Sequence, residues 1–384
     1  MPPPRFEFRH STRRIIFGWG AIGELGELAR SHGARRGAVV IDAVFRDSDV
    51  AAGITRALTD ALGAAPAVAF VPPHEPDTDV VDACHAVLRA ADPDIVVAVG
   101  GGSTMDAAKV ARVMLENPGG AAAIAGFDVD HRPHRSLFVG VPTTAGTGSE
   151  VSEMAVISQH GSDIKLRYRS AALPFQVALL DPELTVSLPP SVTANTGFDA
   201  FTHALEGYVS RAANVLTEPF SLAALTLLSR WLPVVLEKPS HREARSQCLL
   251  ASMQAAIAFN TTQLGLAHAL SAPLGAIYHV AHGYANALAL PAVTAFNEPA
   301  LGEKAAVIAR ALDAPSAALG VARFRATLGL DRSLDEVVPD AAGRDAIAHA
   351  ALKSGNLRYN PRRAGFDEVR GVIEAMRAPH HASR

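Results

Sequence analysis

The chain has 384 residues, more than one compact core of ordinary size accommodates, so we expect two domains. Hydrophobic residues make up 49% of it and charged residues 19%, which is typical of a soluble globular protein. The formal net charge of -3 offers no basic surface for nucleic acid, so the expected partners are small molecules.

The cysteines and the termini indicate where the protein resides. Cys84 and Cys248 lie far apart and outside any C-x-x-C spacing, which argues against a disulfide framework and against a thiolate zinc site. The N-terminus lacks the apolar segment of a signal peptide, and we expect no later segment to stay apolar for the ~18 residues of a membrane span. These features predict a cytoplasmic protein without a membrane partner. His380 and His381 in the C-terminal tail are expected to be solvated.

Short β-branched runs alternate with helical stretches over the first half of the chain. The runs cover residues 38–41, 67–71, 95–99 and 137–141. Continuous apolar runs of this length are typical of strands buried on both faces of a parallel sheet. We therefore predict an α/β dinucleotide-binding domain with a parallel sheet over residues 1–187.

Asp42 closes the first of these runs. A carboxylate there can accept hydrogen bonds from ribose hydroxyls and repel a 2′-phosphate, which favours NAD over NADP. The same aspartate could instead cap the following helix, and Arg46 close by could accommodate the phosphate of NADP.

Two loops rich in small residues follow the third and fourth runs. Val99 leads directly into Gly100-Gly101-Gly102, where a helix is predicted to begin. Glycines and a free helix N-terminus suit a pyrophosphate, although a plain strand-to-helix turn would also use them. The second loop, residues 142–150, offers hydroxyls and amides for a polyphosphate or a nicotinamide ribose.

Proline-bearing turns near residues 181–190 predict a domain boundary, and the Ala- and Leu-rich sequence of residues 188–384 predicts an all-helical domain. Within it, Asp199 and His203 are four residues apart and would share one helix face. His268 and His282 would be roughly 21 Å apart in an unbroken helix, so a shared metal ion requires a bend, for which Pro273 and Gly275 are the candidate breakers.

Three imidazoles and one carboxylate suit Fe²⁺ or Zn²⁺ with an open position for a substrate oxygen. Each residue alone has an ordinary alternative, because histidines on apolar helices are commonly core or surface residues and an Asp near a helix start is commonly a cap.

These motifs together resemble the iron-containing (group III) alcohol dehydrogenases, a family that includes maleylacetate reductases and lactaldehyde and propanediol oxidoreductases. The resemblance extends over the full chain. It is carried by residues 14–18, 100–109, 142–150, 181–182, 197–206, 214–217, 265–291 and 360–362.

The resemblance implies a dehydroquinate synthase-like fold and an oxidoreductase that transfers a hydride between NAD(P)(H) and a small alcohol or aldehyde. It implies a metal site, with Fe²⁺ first and Zn²⁺ as the alternative, and at least a homodimer. The implied metal ligands are Asp199, His203, His268 and His282, of which His268 and His282 are also the catalytic candidates. The implied cofactor contacts are Asp42, Gly101, Gly102, Ser103, Asp106, Thr143, Thr144, Thr147 and Lys165.

The chain departs from the family at Ala272, where iron-type members usually carry a further histidine beside nicotinamide and substrate. His279 is close enough in sequence to replace it, although it could equally face solvent. Maleylacetate reductases tend to carry Asn at the position of Asp199, which lowers that substrate assignment. Arg167 and Arg169 could favour an anionic substrate or simply form an exposed basic strand.

Two other classes remain as alternatives. One is a lyase resembling dehydroquinate synthase, which uses NAD and a metal without net redox change. The other is a non-catalytic ligand-binding relative. The leading hypothesis places NAD(P)(H) on the first domain, the metal on the second, and the substrate oxygen between them.

Overall fold

The computed structural model describes residues 6–162 and 164–377, so His380 and His381 lie outside the described residues. The chain divides into two compact units. An α/β unit spans His10–Val186, and a helical unit combines residues 6–9 with residues 187–377.

The α/β unit contains a six-stranded sheet in the order β1-β8-β5-β4-β2-β3, with every pair parallel. A separate antiparallel hairpin is formed by β6 and β7. The strands are β1 Arg14–Phe17, β2 Gly37–Asp42, β3 Ala67–Val71, β4 Ile95–Gly100, β5 Leu137–Pro142, β6 Met154–Ser158, β7 Lys165–Arg169 and β8 Val177–Leu180. The helices are α1 Leu25–Ser31, α2 Asp49–Leu62, α3 Thr78–Ala91 and α4 Gly102–Val113.

The sheet separates two hydrophobic cores because successive side chains of a strand point to opposite faces. In β4, Val96 and Ala98 pack with residues of α3 and α4, whereas Val97 and Val99 pack with residues of α1 and α2. The predicted parallel sheet with helices on both faces is confirmed. Because β2 lies between β3 and β4, the direction of strand addition reverses beside it, and the crevice beyond the carboxyl ends of β2 and β4 is where such sheets bind ligands.

The helical unit contains α5 Pro190–Val209, α6 Thr217–Glu237, α7 Arg242–Thr262, α8 Leu266–Tyr278, α9 His282–Asn297, α10 Glu303–Ala311, α11 Ala317–Thr327, α12 Ala341–Leu352 and α13 Phe366–Ala375. Pro190 occupies the first position of α5, where its missing N–H costs no hydrogen bond. Helix α5 packs against α6, α7 and α9, and α8 packs against α9. No strand is present among the described residues of this unit.

The expectation that no segment stays apolar for the length of a membrane span is wrong. Helix α6 is 21 residues long, and its most apolar window has a mean hydropathy of 1.5. Its Leu, Ala and Val residues are interrupted by Ser and Thr residues and by Arg230, so the stretch is less conspicuous than a continuous apolar run. Length and composition of this kind are shared by core helices of bundles, and α6 packs against α5 and α7.

The chain does break between His268 and His282, but Pro273 and Gly275 are not the breakers. Helix α8 continues through both residues, since a buried proline removes only one helical hydrogen bond and packing of the surrounding turns can maintain the helix. The helix ends instead at His279, whose φ of 54° is left-handed, and α9 begins at His282.

Candidate functional site

Three helices of the helical unit carry the four residues predicted to bind metal. Asp199 and His203 lie one turn apart on α5, His268 lies in the first turn of α8, and His282 is the first residue of α9. Because α8 ends before His279, the chain can turn back onto α8, and the rings of His268 and His282 lie with their centroids 5.4 Å apart.

One carboxylate oxygen is the common neighbour of all three imidazoles. Asp199 Oδ1 lies 3.8 Å from His203 Nε2, 3.7 Å from His268 Nε2 and 3.5 Å from His282 Nε2. Ligand atoms of Asp199, His268 and His282 all lie within 4.8 Å of one another. The rings of His203 and His268 stack with centroids 4.8 Å apart. The structure therefore brings together Asp199, His268 and His282, which are distant in sequence, whereas His203 contacts Asp199 Oδ1 but lies outside this converging group.

The electrostatics of the cluster suit a cation. Asp199, His203 and His268 are buried, whereas His282 retains 52% of its side-chain exposure and forms the accessible side. Burial alone would raise the pKa of Asp199, but His203, His282 and His268 together hold it well below its ordinary value. Burial lowers the pKa of His203 to about 4, so this imidazole is neutral at pH 7. A buried carboxylate beside imidazole nitrogens fits the preferences of Fe²⁺ and Zn²⁺.

His203 Nδ1 is buried and has no hydrogen-bond partner among the described residues. Asn286 lies beside the cluster and donates from Nδ2 to Asp199 Oδ1 at 2.7 Å. The same nitrogen is 3.3 Å from His268 Nε2. Asn286 therefore restrains the carboxylate that the three imidazoles share, a contact that the sequence analysis did not identify.

Glu206 is the second residue that sequence reasoning missed. Its carboxylate accepts from His268 Nδ1 at 2.7 Å. The available signal was spacing, because Asp199, His203 and Glu206 follow at i, i+4 and i+7 on α5 and share a helix face.

Ala272 lies on the same helix as His268, and His279 is the first residue after that helix. Ala272 is half-buried one turn after His268, while His279 is exposed at the C-terminal end of α8. His279 is not one of the residues whose ligand atoms converge. Its predicted role in proton transfer stays a prediction.

In the α/β unit, the two small-residue loops contact each other at the carboxyl edge of the sheet. Thr143 N donates to Gly100 O at 3.0 Å. A Cβ on Gly102 would lie 2.6 Å from Thr147, and one on Gly101 would lie 3.3 Å from Thr144. Gly102 is thus needed for the loops to pack this closely, and Gly101 leaves little room for a side chain. They also leave the N-terminus of α4 without a side-chain cap, so its first N–H groups are available to an anion.

Asp106 faces the protein interior rather than the open side of this loop. Its oxygens accept from Ser149 Oγ at 2.7 Å and from Val156 N at 2.9 Å, and Lys109 Nζ lies 3.8 Å away. Burial raises the pKa of Asp106, against the attraction of Lys109. These bonds hold the second loop in place. Ser103, in contrast, is exposed.

The remaining predicted cofactor contacts lie at two places. Asp42 ends β2, and its Oδ1 accepts from Val44 N at 3.0 Å, so it is a cap as one alternative proposed. Lys165 lies on β7 and forms an ion pair with Glu75. Arg169 on the same strand pairs with Asp128 at 3.4 Å.

Both units match family models for iron-containing alcohol dehydrogenases, residues 12–182 the "Iron-containing alcohol dehydrogenase" model and residues 193–377 its C-terminal counterpart. The probable alcohol dehydrogenase EutG of Escherichia coli strain K12 is 36% identical over 94% of this chain and 92% of its own length. A crystal structure of 1,3-propanediol oxidoreductase aligns with a TM-score of 0.91 at 31% identity, covering 97% of this chain and all of that one. Sulfoacetaldehyde reductase of Bifidobacterium kashiwanohense, solved with NAD⁺, aligns with a TM-score of 0.90 at 28% identity over 98% and 99% of the two chains.

A sheet built for dinucleotides and a cluster of imidazoles around a carboxylate define a metal-dependent oxidoreductase of alcohols and aldehydes that uses a nicotinamide cofactor. The chain belongs to the iron-containing alcohol dehydrogenase family. This assignment confirms the predicted family, fold class and reaction, and it favours hydride transfer over the lyase and the non-catalytic alternatives.

Proposed function

We propose that Asp199, His203, His268 and His282 hold one divalent cation, with Fe²⁺ first and Zn²⁺ as the alternative. The observation that carries this proposal is the position of three imidazole Nε2 atoms 3.5–3.8 Å from Asp199 Oδ1. When bound, such an ion polarises a carbonyl oxygen and lowers the pKa of a bound hydroxyl, which favours hydride transfer in either direction. The half-exposed His282 lies on the side from which a substrate would approach.

For the cofactor we propose NAD, with NADP as the alternative. The uncapped N-terminus of α4 after Gly101 and Gly102 suits the pyrophosphate, with Ser103 and the hydroxyls of Thr143, Thr144 and Thr147 as neighbouring donors. One oxygen of the Asp42 carboxylate bonds Val44 N, and the other remains suitable for a ribose hydroxyl. Asp106 supports these contacts indirectly, because its hydrogen bonds hold the second loop in place. Lys165 on β7 is a further proposed contact of the cofactor.

The proposed substrates are small primary alcohols and the corresponding aldehydes. The relative named for sulfoacetaldehyde makes an aldehyde with an anionic group a second candidate, for which Arg167 and Arg169 are the basic residues on β7. We propose that His279 takes part in proton transfer, in place of the histidine that iron-type members usually carry at the position of Ala272. We place the enzyme in the cytoplasm, as its cysteines and its N-terminal sequence predict, and the resemblance to the family implies at least a homodimer.

Replacing His268 tests the metal site. The His268→Ala variant should lose bound metal and turnover with NADH or NADPH across an aldehyde panel, while NADH binding, followed by fluorescence, persists. His349→Ala, which removes an exposed histidine of α12, is the matched control and should retain both metal and turnover. Metal content is measured after anaerobic purification without added metal. Normal turnover by a metal-free preparation of the parent protein would refute this function.

A further inference from the structure

Glu206 is a buried carboxylate on α5, three residues after His203 and 3% exposed. In the described part of the chain, no lysine or arginine lies within ion-pair distance of it, and its ion-pair partner is the imidazole of His268. A buried carboxylate without a cationic side chain is costly unless hydrogen-bond donors surround it. The hydrogen-bond donors around Glu206 therefore indicate its role in the structure.

Three donors converge on the two oxygens of Glu206. Oε2 accepts from Gly265 N at 2.9 Å and from His268 Nδ1 at 2.7 Å, and Oε1 accepts from Ala267 N at 2.7 Å. Gly265 precedes α8 and has no side chain that could cap it, so Glu206 caps this helix from α5. Asn360 Oδ1 completes the cap by accepting from Leu266 N at 3.2 Å.

Gly265 is a close approach between these elements. A Cβ at this position would lie 2.9 Å from Glu206 Oε1 and 3.0 Å from Asn360 Oδ1. The first turn of α8 is thus held directly against the carboxylate, and His268 lies in that turn. The position of the His268 ring depends on the same group that fixes the helix end.

These contacts also determine which nitrogen of His268 carries a proton. An ionised carboxylate only accepts hydrogen bonds, so the 2.7 Å contact requires Nδ1 to be the donor. The neutral ring then has its lone pair on Nε2. That nitrogen faces Asp199 Oδ1 at 3.7 Å, where the proposed cation would lie.

We propose that Glu206 is a positioning residue for the metal centre: it selects the Nδ1–H tautomer of His268 and fixes the ring so that Nε2 is available as a ligand. Glu206 does not touch the ion. The role rests on the metal site of the proposed function. Outer partners of this kind change metal affinity by about 10–100-fold in other proteins.

The alternative is that Glu206 serves only as a helix cap, and the chain provides a matched control for it. Glu298 caps α11 from outside in the same way, accepting from Ala317 N at 2.9 Å and Ala318 N at 3.3 Å, with no histidine attached. Glu206→Gln and Glu298→Gln therefore make the same chemical change at two helix caps. Only the first touches a proposed metal ligand.

The test measures the Kd of Fe²⁺, under anaerobic conditions, and of Zn²⁺ by chelator competition for both variants, together with the unfolding midpoints of the metal-free proteins. For Glu206→Gln the Kd should rise about 10–100-fold. For Glu298→Gln the Kd should stay within about threefold of the parent value, even if its unfolding midpoint falls as far as that of Glu206→Gln. Unchanged metal affinity in Glu206→Gln, or an equal loss in both variants, would overturn the positioning role.

A second measurement covers the case in which Glu206→Gln does not fold. ¹⁵N NMR of the histidine-labelled, metal-free parent, recorded over a pH series with the His268 signal assigned by difference from His268→Ala, should show that the neutral form of the ring carries its proton on Nδ1 and its lone pair on Nε2. A proton on Nε2 alone would overturn the proposal. If the parent binds neither Fe²⁺ nor Zn²⁺, the proposed metal site is overturned together with the role of Glu206. If the parent binds an ion and Glu206→Gln binds it equally tightly, only the role of Glu206 is overturned.

Discussion

Glu150 lies in the loop between β5 and β6 with only 2% of its surface exposed. Its Oε1 has no hydrogen-bond partner among the described residues. Burial raises the pKa of Glu150 to about 7, against the attraction of Lys109. Burial also lowers the pKa of Lys109 to about 8, against Asp106 and Glu150. The loop proposed to contact the cofactor is therefore built on a carboxyl group that titrates near neutral pH.

This pKa predicts a pH-dependent stability of the α/β unit. Because the folded pKa of Glu150 lies above the unfolded value of about 4.3, its stabilising contribution is complete below pH ~4.3 and is lost as pH rises through about 7. Glu150→Gln does not ionise and escapes this loss. The difference in the free energy of unfolding between Glu150→Gln and the parent should therefore be larger at pH 8 than at pH 5, in favour of the variant, by about 2 kcal/mol.

The measurement is urea unfolding at both pH values, followed by the fluorescence of Trp19 in a Trp231→Phe background, because Trp231 belongs to the helical unit. Glu116→Gln, which removes an exposed carboxylate from the α/β unit, is the control and should follow the parent. If the advantage of Glu150→Gln were the same at pH 5 and pH 8, the proton on Glu150 would not be the cause.

At the level of elements, the sequence predicts regular structure well and irregular points poorly. The predicted runs at residues 38–41 and 95–99 lie within β2 and β4, because a strand buried on both faces needs a continuous apolar run. The end of α8 was not predictable in the same way. A left-handed residue is expected to be glycine, yet His279 occupies this conformation and Gly275 does not end the helix.

The candidate metal site likewise has one part that could be predicted from the sequence and one part that could not. The spacing of Asp199 and His203 is local and can be read from the sequence, since four residues make about one helical turn. Joining them to His268 and His282 required family motifs, because contacts between helices carry no local signal. The roles of Glu206 and Asn286 depend on such contacts and became evident only from the structure.

Gly283 provides a prediction at this scale, because the start of α9 is pressed against α5. A Cβ on Gly283 would lie 2.0 Å from the backbone oxygen of Asn195, so Gly283→Ala must displace α9 and with it His282. We expect a loss of about 1–3 kcal/mol in the free energy of unfolding. Displacement of a ligand should also raise the Kd of Zn²⁺ by roughly tenfold or more.

A glycine with free space around it is the matched control. No atom lies within 4 Å of a Cβ on Gly371 in α13, so Gly371→Ala should stabilise the protein by about 0.5–1 kcal/mol and leave the Kd unchanged. Urea unfolding and chelator competition measure the two effects. Parent-like behaviour of Gly283→Ala in both would mean that α9 can move away from α5 at no cost.

On the scale of the whole molecule, the two proposed binding functions fall in different units. Every proposed metal ligand lies between residues 199 and 282 in the helical unit, and the two small-residue loops lie in the α/β unit. An ion that binds only the folded state stabilises it by about 4 kcal/mol when its concentration is a thousand times its Kd. That free energy acts through the groups that the ion contacts.

Removing the metal should therefore loosen one set of helices selectively. After chelation, hydrogen–deuterium exchange measured by mass spectrometry should accelerate in peptides from α5, α8 and α9, where loss of the ion leaves three imidazoles around one carboxylate. Peptides from β4 and α4 should exchange as before, because their hydrogen bonds do not involve the ligands. Adding Zn²⁺ back should restore protection in the parent but not in His268→Ala. Equal acceleration in β4 and α4 would show that the binding energy is not confined to the four proposed ligands.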